Sequence, residues 1–407
     1  MRTPGRRAPL VLAERTTAAP VRARRVRAAA TEGEPHWEAP VPVAQPVPKV
    51  QVGGTSGTGA MAGTGAIGGQ GAVVGEPAPQ EPGTSTAGAG GSTAGTGGTG
   101  TAGAAGTGGA ATGTPPSCQG LGDLCGGGSC CEAPLVPAGS FMMGSDAAGA
   151  PPDRKPIHSV SVSSFRMDKY EVTVGRFRRF VEVYPGSLPK AGDGAHPKIS
   201  GSGWQDVWAT KVPSSRAALE GSCLSGQCTW TNTAGANESL PINGVNWYVA
   251  FAFCAWDGGR LPTEAEWEYV ATPPGDPKPY YPWGFLAPDC NLANIHPNGT
   301  SQCASAPLAV DGRPAGAGSY GQVDLAGNVS EWVLDWFDPD WYQNGGNTCA
   351  DCANLAPVSV DMKEPTKVRR GAAFSYGASA AINSWREALY PTYALDLTGF
   401  RCARDIL

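Results

Sequence analysis

The residues best placed to do chemistry in this 407-residue chain are its twelve cysteines. The count is even and most fall in local groups: Cys118, Cys125, Cys130 and Cys131; Cys223 and Cys228; Cys290 and Cys303; Cys349 and Cys352. That pattern is one of disulfide stapling in an oxidising compartment. Cys349-Ala-Asp-Cys352 has the spacing of a redox or zinc motif. It lies in an Asn/Gly-rich loop, not between a strand and a helix, so a loop-closing disulfide is favoured over zinc or redox chemistry. His158, His196 and His296 have acids nearby but lack a tight metal-ligand spacing, which suits strand and loop histidines. Trp204, Trp208, Trp230, Trp341 and Trp385 supply surface for a carbohydrate or peptide groove, against the commoner role of tryptophan in a core. No nucleophile elbow, phosphate-binding loop or dinucleotide fingerprint occurs in a suitable context.

The elements that must hold these residues begin near residue 135. His158 to Phe165 alternates apolar and polar residues and predicts a strand. Thr173 can cap a helix in which Val174, Phe177, Phe180, Val181 and Tyr184 recur at helical spacing. Asn246 can cap a second helix, Trp247 to Trp256, stopped by Gly258 and Gly259. A third starts at Leu261-Pro-Thr-Glu-Ala-Glu-Trp-Glu-Tyr-Val-Ala271, where Thr263 and Glu266 match a capping box and Trp267 and Val270 face inward. Pro273-Pro274 ends it. Long Gly/Pro/Asn-rich stretches separate these helices, predicting an α+β domain rich in loops that disulfides must tie down.

Composition divides the chain further. Residues 1–48, rich in Arg, Ala and Pro, read as a disordered segment. Residues 49–116 are a Gly/Thr/Ala-rich tract with too little apolar surface to offset its ordering entropy. As a flexible linker of about 68 residues it would span roughly 45 Å, enough to tether a domain to an envelope. Residues 117–134 form a small cysteine-rich collar that needs disulfides to hold its shape. Residues 135–407 form the globular domain.

Net charge is −5, and residues 1–30 carry eight arginines and one glutamate, leaving about −12 for the rest. An acidic globular part argues against a nucleic-acid partner. No apolar run is long enough for a transmembrane helix. Pro9-Leu-Val-Leu-Ala13 is shorter than a signal-peptide core, so no clear signal peptide accompanies the cysteine pattern. The cysteines outweigh it, and the expected location is extracytoplasmic, secreted or at the cell surface.

Several blocks, in order, resemble the formylglycine-generating enzyme, or sulfatase-modifying factor, family. They are Val136-Pro-Ala-Gly-Ser-Phe-Met-Met-Gly144, Pro241-Ile-Asn-Gly-Val-Asn-Trp247, Phe253-Cys-Ala-Trp256, Arg260-Leu-Pro-Thr-Glu-Ala-Glu-Trp-Glu-Tyr269, Tyr281-Pro-Trp-Gly284, Ala293-Asn-Ile295, Asp324-Leu-Ala-Gly-Asn-Val-Ser-Glu-Trp332, Arg370-Gly371 and Gly399-Phe-Arg-Cys402. The resemblance implies a C-type-lectin-like fold and a disulfide between Cys254 and Cys402. It also implies a Ca2+ site at Asp324, Gly327, Val329 and Glu331, whose hard oxygen donors suit that ion. A weaker second site would use Asn294 and Ile295. Its loop is shortened and contains Cys303, which points to a Cys290–Cys303 disulfide shaping it instead.

The same resemblance implies an oxidase with two copper-binding cysteines after a Gly-Gly-Ser element. Here that stretch reads Gly371-Ala-Ala-Phe-Ser-Tyr-Gly-Ala-Ser-Ala-Ala381, with Tyr376 and Ala381 at the cysteine positions, Ala373 at the serine and Ser330 at a tryptophan. A phenol and a methyl group cannot supply two thiolates to Cu(I), so copper is not expected. Two functions remain. One is a non-oxidase module whose pocket (Ser330, Ala373, Tyr376, Ala381, Arg386) holds a peptide, protein or carbohydrate ligand without turnover. The other is a protein-modifying enzyme of different chemistry, or a partner in sulfatase maturation.

Overall fold

The computed structural model describes residues 114–224, 226–297, 302–360 and 363–406. The expected disordered segment 1–48 and all but the last residues of the 49–116 linker lie outside them. The helices are α1 (Val174–Val183), α2 (Arg216–Glu220), α3 (Trp247–Trp256), α4 (Glu264–Ala271) and α5 (Trp341–Asn344). The strands are β1 (Leu135–Val136), β2 (Gly139–Met143), β3 (His158–Val162), β4 (Phe165–Met167), β5 (Ser330–Trp336), β6 (Lys367–Arg370), β7 (Arg386–Leu389), β8 (Thr398–Gly399) and β9 (Ala403–Asp405). They form three small sheets: β1-β4-β9, β2-β3, and β7-β6-β5-β8. All pairings are antiparallel except β5 with β8.

The three long helices start where their caps place them. Thr173 accepts from the Arg176 amide and Asn246 from the Val249 amide. Thr263 and Glu266 complete the capping box of α4. α4 is buried on every side, its glutamates included, because Arg370 of the sheet and Arg260, just ahead of the helix, meet them. One expectation is corrected. The strand read from His158 to Phe165 is broken, with β3 pairing to β2 and β4 to β1 and β9. At the break the Ser163 amide and hydroxyl both donate to the Asp351 carboxylate, at 2.6 and 2.7 Å.

Aromatic rings of α1 and α3 fill the larger core: Phe177, Phe180, Trp247, Phe251 and Phe253, closed by Phe400. A second core surrounds Trp267, with Phe165, Val333 and Val368. All twelve cysteines are bridged: Cys118–Cys131, Cys125–Cys130, Cys223–Cys228, Cys254–Cys402, Cys290–Cys303 and Cys349–Cys352. The collar packs on the domain, with Cys125 and Cys130 buried against Tyr170, Val310 and Val323.

A buried clasp fixes the collar in place. Arg176 of α1 pairs with Asp168 at 2.8 Å and Asp257 at 2.7 Å, and Arg404 of β9 pairs with the same two aspartates. Ser117 enters this group. Its amide donates to Asp257 at 2.9 Å and its hydroxyl accepts from Arg176 Nε at 3.0 Å.

Candidate functional site

Of the predicted pocket residues, Ser330 opens β5 and Arg386 opens β7, while Ala373, Tyr376 and Ala381 lie between β6 and β7. Side chains alternate between the two faces of a sheet. Trp332, Arg369 and Glu387 are in register, as are Glu331, Arg370 and Arg386. The first row faces α3, where the Trp332 indole donates to the Val245 carbonyl. The second faces α4.

On the α3 side Tyr376 meets Arg369. The Tyr376 hydroxyl accepts from Arg369 Nη2 at 2.8 Å and donates to Glu387 Oε1 at 3.0 Å. Arg369 also pairs with Glu387 at 2.7 Å and donates to Thr398 Oγ1 at 2.8 Å. Thr398 is the register partner of Ser330. Burial, with Glu387 adding to it against Arg369, pushes the Tyr376 phenol up to about 12, so it stays a donor at neutral pH. Ser330 Oγ, Arg369 Nε and Glu387 Oε2 are enclosed without partners. Three unsatisfied polar atoms in one corner are unusual for a finished core and mark a place where a ligand or water can bind. Ala373 accepts the Tyr376 amide in the turn below. Ala381 packs apart, with Ala293, Ile295 and Ala326.

Arg386 does not join this group, which corrects its assignment to the pocket. It sits in the opposite row and binds Glu264 through two hydrogen bonds of 2.8 Å. Its Nη1 donates to the Asp153 and Asp338 carbonyls. Arg369, which sequence reasoning missed, takes the central position. Its only local signal is the strand alternation that separates it from Arg370.

The loop from Asp324 to Glu331 presents a second constellation. Asp324 and Asn328 hold φ near 60° and Gly327 near 90°, and the turn is tied to Gly371 and Asn294 by backbone hydrogen bonds. Glu331 accepts from Nη2 and Nε of Arg401, at 2.7 and 2.8 Å, and from the Trp267 indole. Glu171 lies within electrostatic reach of both acids and accepts from Asn328 Nδ2 and the Val329 amide. Asp324 Oδ2 is buried without a partner. Thus Arg401 faces three buried carboxyl groups, while Arg313 and Asp311 act on Asp324 in opposite directions. Burial pushes Asp324 up to about 7, Glu331 adding to it and Arg401 opposing it, and burial with the neighbouring acids raises Glu171 well above its ordinary value. A hard cation fits this charge excess. No three His, Cys, Asp or Glu side chains form a metal cluster among the described residues, so a cation here would also draw on the Gly327 and Val329 carbonyls. At the weaker second position Asn294 Oδ1 is unpartnered, while the Ile295 carbonyl accepts from Cys303. Glu171 carried no sequence signal, since its partners are more than 150 residues away.

The histidines do not converge: His158 Nδ1 meets the Pro156 carbonyl, His196 faces Glu266, and the His296 amide donates to the Tyr376 carbonyl. Trp204 is core, with Trp208 packed edge-on against it. Trp230 packs against Phe177 and Arg178, Trp341 lies against the second core, and Trp385 lies under Arg154.

Residues 128–406 match the family described as the sulfatase-modifying factor enzyme 1-like domain. The chain belongs to that family. A formylglycine-generating enzyme of Thermomonospora curvata is 28% identical over 305 residues, covering 67% of this chain and 93% of its own. A hercynine oxygenase of Mycolicibacterium smegmatis is 31% identical over 289 residues, covering 67% of this chain and 61% of its own. The mouse inactive C-alpha-formylglycine-generating enzyme 2 is 28% identical over 298 residues, with coverages of 66% and 84%. The α+β, loop-rich and disulfide-stapled fold is the one that membership implies.

Proposed function

We propose that this sulfatase-modifying-factor domain is a non-oxidase, extracytoplasmic binding module that holds a peptide or small ligand without turnover. The observation that carries this reading is that six disulfides consume all twelve cysteines, leaving no thiol to bind copper or to engage a substrate cysteine. The corner read as the pocket supports it. A Tyr376–Arg369–Glu387 group suited to polar recognition stands there, with Ser330 beside it. Related proteins are named as a formylglycine-generating enzyme, a hercynine oxygenase and an inactive member, so the scaffold is not bound to one reaction. The disulfides favour an oxidising compartment. The charge excess around Asp324 supports Ca2+ as a structural ion held by Asp324, Gly327, Val329 and Glu331, with Glu171 beside them.

The test is a turnover assay. The full chain, disulfides intact, is incubated with copper, oxygen, a mild thiol and a peptide bearing Cys-x-Pro-x-Arg, beside an active enzyme as control. The expected result is no loss of the cysteine mass, together with peptide or ligand binding that Arg369→Gln weakens. Conversion of the cysteine to formylglycine would overturn the proposal.

A further inference from the structure

Beneath α4 the buried charges do not cancel. Glu264 is shared by Arg370 and Arg386, and Glu268 by Arg370 and Lys278. Arg154 is left over. It is only 6% exposed, and its guanidinium makes no ion pair or hydrogen bond among the described residues. The guanidinium carbon lies over the Trp385 ring, 4.2 Å from its centre. An arginine cannot shed its charge, and a cation–π contact offsets only part of the cost of burying one. Asp153, the nearest acid, is half-buried; it offers Arg386 its backbone carbonyl, and its carboxylate makes no hydrogen bond to Arg154.

Other donors in this corner are also unused. Tyr342 Oη, Trp385 Nε1 and Arg154 Nε are all enclosed without partners. The Tyr342 ring and the Arg154 carbonyl abut Gly144 together, where a Cβ would meet them at 3.4 and 2.7 Å. Pro152, Lys155 and Pro156, which flank Arg154, and Gln343, which follows Tyr342, line an open hollow of about 500 Å³ with Ala150. Lys155 adds a second positive charge at its rim.

We propose that this corner is an oxyanion-binding site. One carboxylate, phosphate or sulfate group enters from the hollow past Lys155, pairs with the free edge of Arg154 and accepts from Tyr342 Oη and Trp385 Nε1. A guanidinium edge offers an oxyanion the geometry of paired N–H···O bonds. The site is separate from the Tyr376 corner, because it lies on the α4 side of the sheet with Arg386.

Thermal unfolding of the full chain in low-millimolar sulfate, phosphate or acetate, against chloride at equal ionic strength, tests this. The expected result is a Tm that rises with the logarithm of anion concentration, by about 5 °C at a hundredfold excess over Kd. A response to acetate and to a peptide with a free, but not an amidated, C-terminus would assign a carboxylate. A response to sulfate and phosphate alone would assign an inorganic-type or ester oxyanion. Tyr342→Phe removes an unpartnered hydroxyl, so it should fold normally and raise the anion Kd about tenfold or more. Arg154→Gln should abolish the response. An equal response in wild type and both variants would overturn the proposal. So would no response to any anion, and a lower Tm in Asp153→Asn would then make Asp153 the counter-ion of Arg154.

Discussion

The clasp around Arg176 and the acid group around Arg401 are both buried and both built on arginine, but their charges add up differently. In the clasp two arginines meet two aspartates. Burial opposes each charge, yet the partners outweigh it, holding Asp168 below and Arg176 above their ordinary values. Around Arg401 that cation is spent on Glu331, Arg313 is offset by Asp311, and Glu171 and Asp324 are forced upward. Burial therefore does not decide whether an ionic group is structural; the local count of charges does. A balanced group is a joint. An acid excess leaves crowded carboxyls whose pKa values rise.

Substitutions can break or sharpen this contrast. Arg176→Met leaves two buried aspartates to share Arg404 alone and should cost about 3–5 kcal/mol, read from the denaturant midpoint. Asp324→Asn should act in the opposite sense. In calcium-free buffer at pH 8 it relieves a crowded carboxylate and should stabilise the fold by about 1 kcal/mol. Added Ca2+ should raise the Tm of the wild type and far less that of the variant. If the two respond alike, the acid group is not a cation site. The pH dependence follows from the same group. The folded Asp324 pKa, about 7, lies above the ordinary value of 3.8. Between those limits the folded state binds more protons, so this contribution to stability is greatest in acid, falls as pH rises through that window and levels off above it. Asp324→Asn should flatten that slope in urea titrations between pH 4 and 8. The smallest effect expected is that of Ser117→Ala. It leaves Arg176 Nε without an acceptor and should cost about 1 kcal/mol, measurable as a lower unfolding midpoint.

What could be read from the sequence tracks how far apart the determining residues lie. The starts of α1, α3 and α4 were legible because the cap side chain and the amide that donates to it are three residues apart in each. The short Cys223–Cys228 and Cys349–Cys352 bridges were legible for the same reason, whereas the pairing inside the collar had several solutions. Cys254–Cys402, with 148 residues between its ends, came from family resemblance. The break at Ser163 depends on Asp351, 188 residues on, and no local pattern announces it. Arg386 was placed with Tyr376, but a register of alternating faces puts it one row away. Tyr376 and Ser330 were legible as candidates. Arg369 and Glu171, which organise their surroundings, owe their roles to contacts across the fold.

The insertion of Ser117 into the clasp has a mechanical consequence. Anything joined to the chain upstream pulls on the domain at Pro116. The first resistance it meets is the Ser117–Asp257 hydrogen bond, which ties the chain to the loop after α3. Just beyond it the Cys118–Cys131 bridge closes off 13 residues. Extended, that span would release roughly 45 Å of slack, but the bridge withholds it. Force would therefore pass from the collar through covalent sulfur and a buried ionic joint into α1 and β9, and the short strand β1 would be spared from peeling.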